Sequence, residues 1–250
     1  MAVVNEAVVL AAGTGSRLGT GKPKFLAEVL NVPLMLYPVK VLRAVGVKRF
    51  TVVAPKGWGG EARKVLRGEG VDACIVENPY ASRENGYSLL LSGECVSGDP
   101  FILTMCDHLY TPDLVNAVLG VSGGREVEVV IGGDRAPRYV DVGEATKILA
   151  GSEGEVVRVG KDLHRFTHVD VGVFTLKRSV YDVCRYLERS LEVIKLSDVV
   201  NEAVAMGYRV VVADVTGSPW TEIDTRSDLE SVVSGGRRAV LNEVLKAVGR

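Results

Sequence analysis

Glutamine is absent from this 250-residue chain, and histidine occurs three times, tryptophan twice and cysteine four times. No apolar run approaches the roughly 20 residues that a bilayer-spanning helix needs, and the N-terminus lacks the basic-then-apolar pattern of a secretory signal. A cytoplasmic protein without membrane insertion is therefore expected. The formal net charge is −1, so the basic surplus that accompanies nucleic-acid or anionic-membrane binding is missing too. Cys74, Cys95, Cys106 and Cys184 are far apart and show no metal-ligand spacing, which points to free, mostly buried thiols. His164 and His168 stand four apart, yet the segment between them does not read as helix and no third ligand accompanies them, so a zinc site is not expected. The missing glutamine, the abundant valine and the excess of arginine over lysine lean toward a thermophile.

What is present suffices for a large core, since 47% of the residues are hydrophobic and the length suits one α/β domain. Through the first half, strand-like runs at 7–12, 50–54, 73–76 and 101–105 alternate with helix-like runs at 33–45, 61–67, 87–94 and 111–119. That alternation predicts a mainly parallel sheet with crossover helices. From about residue 126 the pattern turns strand-rich, at 127–131, 145–149, 155–159 and 170–176, as expected of an insertion walling a second pocket. Helices near 179–190 and 197–206, a strand at 209–213 and one last helix from 227 to about 248 complete the chain. With no linker or repeat, a single domain is expected.

The first strand runs into Leu10-Ala11-Ala12-Gly13-Thr14-Gly15-Ser16-Arg17-Leu18-Gly19, followed by Pro23-Lys24. Such a loop bares backbone N–H groups with no bulky side chains in the way, a concavity that suits phosphate oxygens. Arg17 and Lys24 add two positive charges. A P-loop would need Gly-Lys-Ser/Thr, but Gly21-Lys22 precedes Pro23, and the third glycine of a dinucleotide fingerprint is displaced by one position. Asp107 follows the strand at 101–105, which places it at the C-terminal edge of the sheet, where open α/β sheets bind ligands. A carboxylate there can hold the Mg²⁺ that a nucleoside triphosphate brings, or it caps the following helix. Glu222 and Asp224 sit two apart in a strand-like segment and so share a face.

The order Leu-Ala-Ala-Gly, small-residue loop, Arg-Leu-Gly, Pro-Lys resembles the signature of the sugar-phosphate nucleotidyltransferases. The resemblance implies an α/β, Rossmann-like nucleotidyltransferase fold, with a mostly parallel central sheet, helices on both faces and a strand-rich acceptor-binding insertion. It divides the one domain into a nucleotide-binding half over about 1–125, an acceptor-binding half over about 126–226 and a C-terminal helix over about 227–250. The late segment Trp220-x-Glu222-x-Asp224-Thr225 is similar to the family's returning metal segment, with either carboxylate able to be the ligand. Asn85-Gly86-Tyr87-Ser88-Leu89 resembles the version of the base-reading segment found in cytidylyltransferases, where Asn85 and Ser88 would face the cytosine edge; Asn85 also suits a helix N-cap.

Several further segments resemble a narrower group, the archaeal CTP:inositol-1-phosphate cytidylyltransferases: Phe101 to His108, Asp141 to Ile148, Val159 to Leu163 and Val169 to Gly172. This likeness implies CTP and inositol 1-phosphate as substrates, Mg²⁺ as cofactor and CDP-inositol with pyrophosphate as products, for the synthesis of a di-myo-inositol phosphate solute. Arg17, Lys24 and Asp107 would be catalytic. Leu10 to Arg17, Lys24, Asn85 and Ser88 would bind the nucleotide, with His108, Glu144, Lys147, Lys161 and Asp170 at the acceptor and Asp107, Glu222 and Asp224 at the metal. The likeness allows a homodimer, and with no hydrophobic span in this chain a separate membrane enzyme is expected to consume the product. The alternatives are a cytidylyltransferase for phosphocholine or a sugar phosphate, a glycosyltransferase of related fold, and a nucleotide sensor without turnover. No aromatic cluster in the acceptor half offers choline a cage, and Asp107-His108-Leu109 departs from the Asp-x-Asp of glycosyltransferases.

Overall fold

Thirteen short strands and eight helices are spread along residues 4–121 and 127–249, which the computed structural model describes. In chain order the first half holds β1 (Glu6–Leu10), β2 (Glu28–Val29), β3 (Val32–Pro33), α1 (Leu36–Ala44), β4 (Arg49–Pro55), α2 (Gly59–Gly68), β5 (Ala73–Asn78), α3 (Glu84–Ser92), β6 (Phe101–Met105), β7 (His108–Tyr110) and α4 (Pro112–Val121). The second half holds β8 (Val129–Asp134), β9 (Lys147–Ala150), β10 (Val156–Gly160), β11 (His168–Leu176), α5 (Val180–Glu188), α6 (Leu196–Ala205), β12 (Val210–Asp214), β13 (Trp220–Glu222), α7 (Arg226–Ser234) and α8 (Arg238–Val248).

Nine strands form one sheet along the path β10-β9-β11-β6-β1-β4-β5, with β8 beside β11 and β12 beside β8. The pairs β6–β1, β1–β4 and β4–β5 are parallel, as the alternation of strands and helices demands. The second half enters antiparallel through β11, which pairs with β6, β8 and β9. The expected insertion is thus a continuation of the same sheet. The division expected near residue 125 lies outside the described residues.

Side chains of β1 alternate between two cores, as a strand covered on both faces must. Ala7 and Val9 join the core that holds Leu42 of α1, Leu66 of α2, Val115 of α4 and Leu241 of α8. Val8 and Leu10 join the opposite core with Leu89 of α3, Cys184 of α5 and Val200 of α6. Helices therefore cover both faces. Among the described residues, no helix is long and apolar enough to cross a membrane.

Three expectations change. Cys74 on β5 and Cys95 after α3 form a disulfide, so only Cys106 and Cys184 are the buried free thiols expected; side chains 21 positions apart in sequence meet because α3 folds back beside the edge strand. The last helix is two, α7 and α8, interrupted at Gly235-Gly236. A Cβ on Gly235 would press against the Ser231 backbone, at 2.9 Å from its Cα. The helix expected from residue 33 begins at Leu36, because Val32–Pro33 is taken into the β2–β3 hairpin.

Candidate active site

Strand ends bring the loop and the acidic residues together. The Ala11 N–H donates to the Val53 carbonyl and the Cys106 N–H to the Leu10 carbonyl, extending the parallel ladder to the C-terminal edge of the sheet, where the chain leaves β1 and β6. The loop after β1 then turns at Gly15, whose φ of +69° lies in the left-handed region. A Cβ there would stand 2.8 Å from the Lys24 nitrogen. The Lys24 N–H donates to the Gly13 carbonyl at 3.1 Å, so the loop and the lysine form one unit. Among the described residues, the N–H groups of Gly13 to Ser16 have no protein acceptor, which leaves a row of donors open to the cleft.

The late segment returns to Asp107 by strand pairing. β13 runs antiparallel to β7 with Glu222 opposite His108, and the Ile223 N–H donates to the Asp107 carbonyl at 3.0 Å. Thr225 caps α7, in a box with Asp228, which stops the strand and holds Asp224 at the rim. The Lys24 ammonium lies between two carboxylates, 2.5 Å from Asp107 Oδ2 and hydrogen-bonded to Asp224 Oδ1. Arg17 reaches Asp224 Oδ2 at 3.2 Å. Burial alone would lower the Lys24 pKa, but the Asp107 and Asp224 charges outweigh it and hold the ammonium well above the ordinary lysine value. Burial would raise Asp107, and Lys24 and His108 overcome it to hold the carboxyl far below the usual carboxylate range.

His108 lies behind this group. Its Nδ1 donates to Asp107 Oδ1 at 2.7 Å and its Nε2 stands 3.7 Å from Glu222 Oε2. The ring stacks on Trp220 at 6.4 Å between centroids, and Trp220 is anchored by donating to Asp134 Oδ2. Gly172, at φ +73°, also lies against the ring, and any Cβ there would collide with the imidazole. Burial opposes the charged ring, yet Asp107, Glu222 and Asp170 push its pKa up to about 9. Burial pushes Glu222 above the ordinary glutamate value and Asp170 up to about 7. The Gly172 N–H donates to Asp170 Oδ1 at 2.8 Å.

These groups line one cleft of about 1030 Å³. Of the residues singled out in the sequence, Leu10, Ala12 to Arg17, Lys24, Asn85, Ser88, Asp107, His108, Lys161, Asp170, Glu222 and Asp224 line it. Three do not: Ala11 lies fully in the core, Glu144 is exposed outside the cleft, and the Lys147 ammonium is engaged by backbone carbonyls. The acidic residues named for the metal, Asp107 with either Glu222 or Asp224, are grouped unequally. Asp107 and Asp224 converge on Lys24, whereas Glu222 is drawn to His108, and among the described residues no trio of His, Cys, Asp or Glu is arranged to hold a metal ion. Asn85 lies in the first turn of α3 and does not cap it, Arg83 being the residue before the helix. Ser88 is buried and receives a hydrogen bond from Asn78.

Sequence reasoning missed further residues that line the cleft, Arg158, Lys195, Ser197, Asp198 and Asn201. In the sequence α6 reads as an ordinary amphipathic helix, and only the folded chain shows that its first turns line the same cleft as the loop.

Residues 7–171 match the MobA-like NTP transferase domain. The chain is 34% identical over 248 residues to a bifunctional IPC transferase and DIPP synthase of Thermococcus kodakarensis, covering 99% of this chain and 53% of that protein. It is 36% identical over 244 residues to the protein of that name from Archaeoglobus fulgidus, covering 98% and 45%. It thus spans about half the length of these curated relatives. Among solved structures, the inositol-1-phosphate CTP transferase from T. maritima is 31% identical and superposes with a TM-score of 0.87, over 98% of both chains. On the match of its sequence, its fold and the loop and carboxylates of its cleft, the chain belongs to the MobA-like NTP transferase family.

Proposed function

We propose that this protein transfers CMP from CTP to myo-inositol 1-phosphate, giving CDP-inositol and pyrophosphate, within the synthesis of a di-myo-inositol phosphate solute. The observation that carries this reading is the likeness, over 98% of both chains, to a solved inositol-1-phosphate CTP transferase. In this reading a phosphate oxygen of the acceptor attacks the α-phosphorus of CTP, an O–P bond forms, and the bond to the β-phosphate oxygen breaks. The nucleophile is already anionic, so no general base is required. The task is to bring two polyanions into line and to neutralise charge growing on pyrophosphate.

The open N–H groups of Gly13 to Ser16, with Arg17, would hold the β- and γ-phosphates, and Lys24 would meet the α-phosphate. Asn85 and Ser88 would stand at the base, and Lys161 and Asp170 at the acceptor. Asp107 and Asp224 would hold Mg²⁺, since two carboxylates that already converge on one positive charge form, with phosphate oxygens, a donor set that suits this ion. Bound there, the ion would supply charge neutralisation at the α-phosphoryl group. The product would pass to a membrane-bound transferase that consumes CDP-inositol.

The test is pyrophosphate release at elevated temperature, with and without Mg²⁺, across a matrix of nucleoside triphosphates and acceptor phosphates. Mg²⁺-dependent release with CTP and inositol 1-phosphate alone is expected. Release with CTP and a different acceptor would overturn the acceptor assignment, and no release with any pair would overturn the enzyme reading.

A further inference from the structure

Lys147, at the start of β9, is 8% exposed, and its ammonium forms no ion pair among the described residues. It donates to the carbonyls of Lys161 at 2.8 Å, Gly143 at 3.3 Å and Ala145 at 3.5 Å. A buried charge without a counter-ion is costly, and only good hydrogen bonds to fixed dipoles make it tolerable. Here those bonds join two segments remote in sequence: the turn leading into β9 and the turn leaving β10. Ala145 and Lys161, whose carbonyls it binds, both line the cleft.

A second clamp holds the end of β10 just before that turn. Asn201 on α6 accepts from the Val159 N–H and donates to the Val159 carbonyl, both at 2.8 Å, in place of a strand neighbour that β10, at the end of the sheet path, lacks. The two residues that follow, Gly160 and Lys161, face the cleft. The Lys161 ammonium has no ion-pair partner among the described residues, so it is an available cation whose carbonyl is held by Lys147 and whose preceding strand is held by Asn201.

We infer that Lys147 is a positioning residue: its ammonium locks the turn before β9 to the Lys161 carbonyl and so holds the Lys161 side chain at the acceptor end of the cleft. The inference rests on the reading of Lys161 as the group that meets the acceptor's phosphate. In this reading Lys147 acts through Lys161, its ammonium being spent on backbone carbonyls.

Four variants test it: K147M, K147R, K161A and the double variant K147M/K161A. Hydrogen exchange needs no substrate, and in K147M it should quicken in segments 141–149 and 156–163 while β1, β4 and β6 keep wild-type protection. With CTP and inositol 1-phosphate, K147M should raise the acceptor KM roughly tenfold and leave the CTP KM unchanged, as a misplaced contact would. K147R should recover part of both effects. In the double variant, K147M should add nothing to the acceptor KM of K161A. Unchanged exchange in K147M, or an undiminished rise of the acceptor KM on the K161A background, overturns the inference. Should K147M fail to fold, K147Q, which keeps a donor but loses the charge, carries the same measurements. A wild-type protein inactive with inositol 1-phosphate would overturn the functional reading, and the exchange comparison would still decide whether Lys147 holds the wall.

Discussion

At the scale of single residues, the centre of the site is a charge balance with little slack. Lys24 is the cation on which two carboxylates converge, so Lys24→Ala leaves Asp107 and Asp224 facing each other and removes the charge proposed for the α-phosphate. Loss of one contact of this kind costs about 10²–10³ in turnover, and steady-state pyrophosphate release from the alanine variant checks it; near-wild-type turnover would take Lys24 out of the chemistry. Asp170 carries a different signature. Burial lifts its pKa from the model-peptide value of 3.8 to about 7 in the folded protein. The folded state therefore holds this proton more tightly than the unfolded chain, and the stabilisation is present in full below pH 3.8 and lost as pH rises through about 7. In urea unfolding, Asp170→Asn should gain on the wild type between pH 4 and 7 and run parallel to it above; a constant gap would contradict this. The loop motif and the late acidic segment were legible because each packs its chemistry into a few consecutive positions. Lys147 was placed at the acceptor by the family likeness alone, and its engagement by backbone carbonyls was not legible because no side-chain pattern encodes such partners.

At the scale of elements, alternation of apolar runs gave the parallel strands and crossover helices, and it failed where local geometry overrides periodicity. The apolar spacing from Ser227 to Val248 continues through Gly235-Gly236, so a reading of periodicity alone joins α7 to α8. The disulfide is a similar case. Cys74 and Cys95 carry no motif, and their meeting depends on α3 packing back against the edge strand β5. The bond closes a loop of 21 residues and joins the edge of the sheet to the end of the helix whose first turn holds Asn85. In the chain-entropy account a loop of this size adds about 3 kcal/mol by restricting the unfolded chain. Cys95→Ser should lose up to that amount in denaturant unfolding under oxidising conditions. Dithiothreitol should lower the wild type by a similar margin and leave the variant unmoved; equal sensitivity of both proteins to the reductant would remove the disulfide from the account.

At the scale of the whole molecule, one strand joins what the sequence divides. β11 pairs with β6 of the first half and with β8 and β9 of the second, and its residue Asp170 lines the cleft. Both cores draw on the two halves together: Val9 and Val173 share one, Leu10 and Phe174 the other. Neither half closes a core without the other, so the chain should unfold as one cooperative unit. Calorimetry is expected to give a single transition whose van't Hoff and calorimetric enthalpies agree. CTP at about 100 times its dissociation constant should add about 2.7 kcal/mol and move that transition intact. Two separable transitions, or a ligand that shifts only part of the heat absorbed, would mean that the strand-rich half folds by itself. The cleft would then lie between two bodies, and Glu222 and Asp224 would reach His108 and Lys24 only when those bodies are docked.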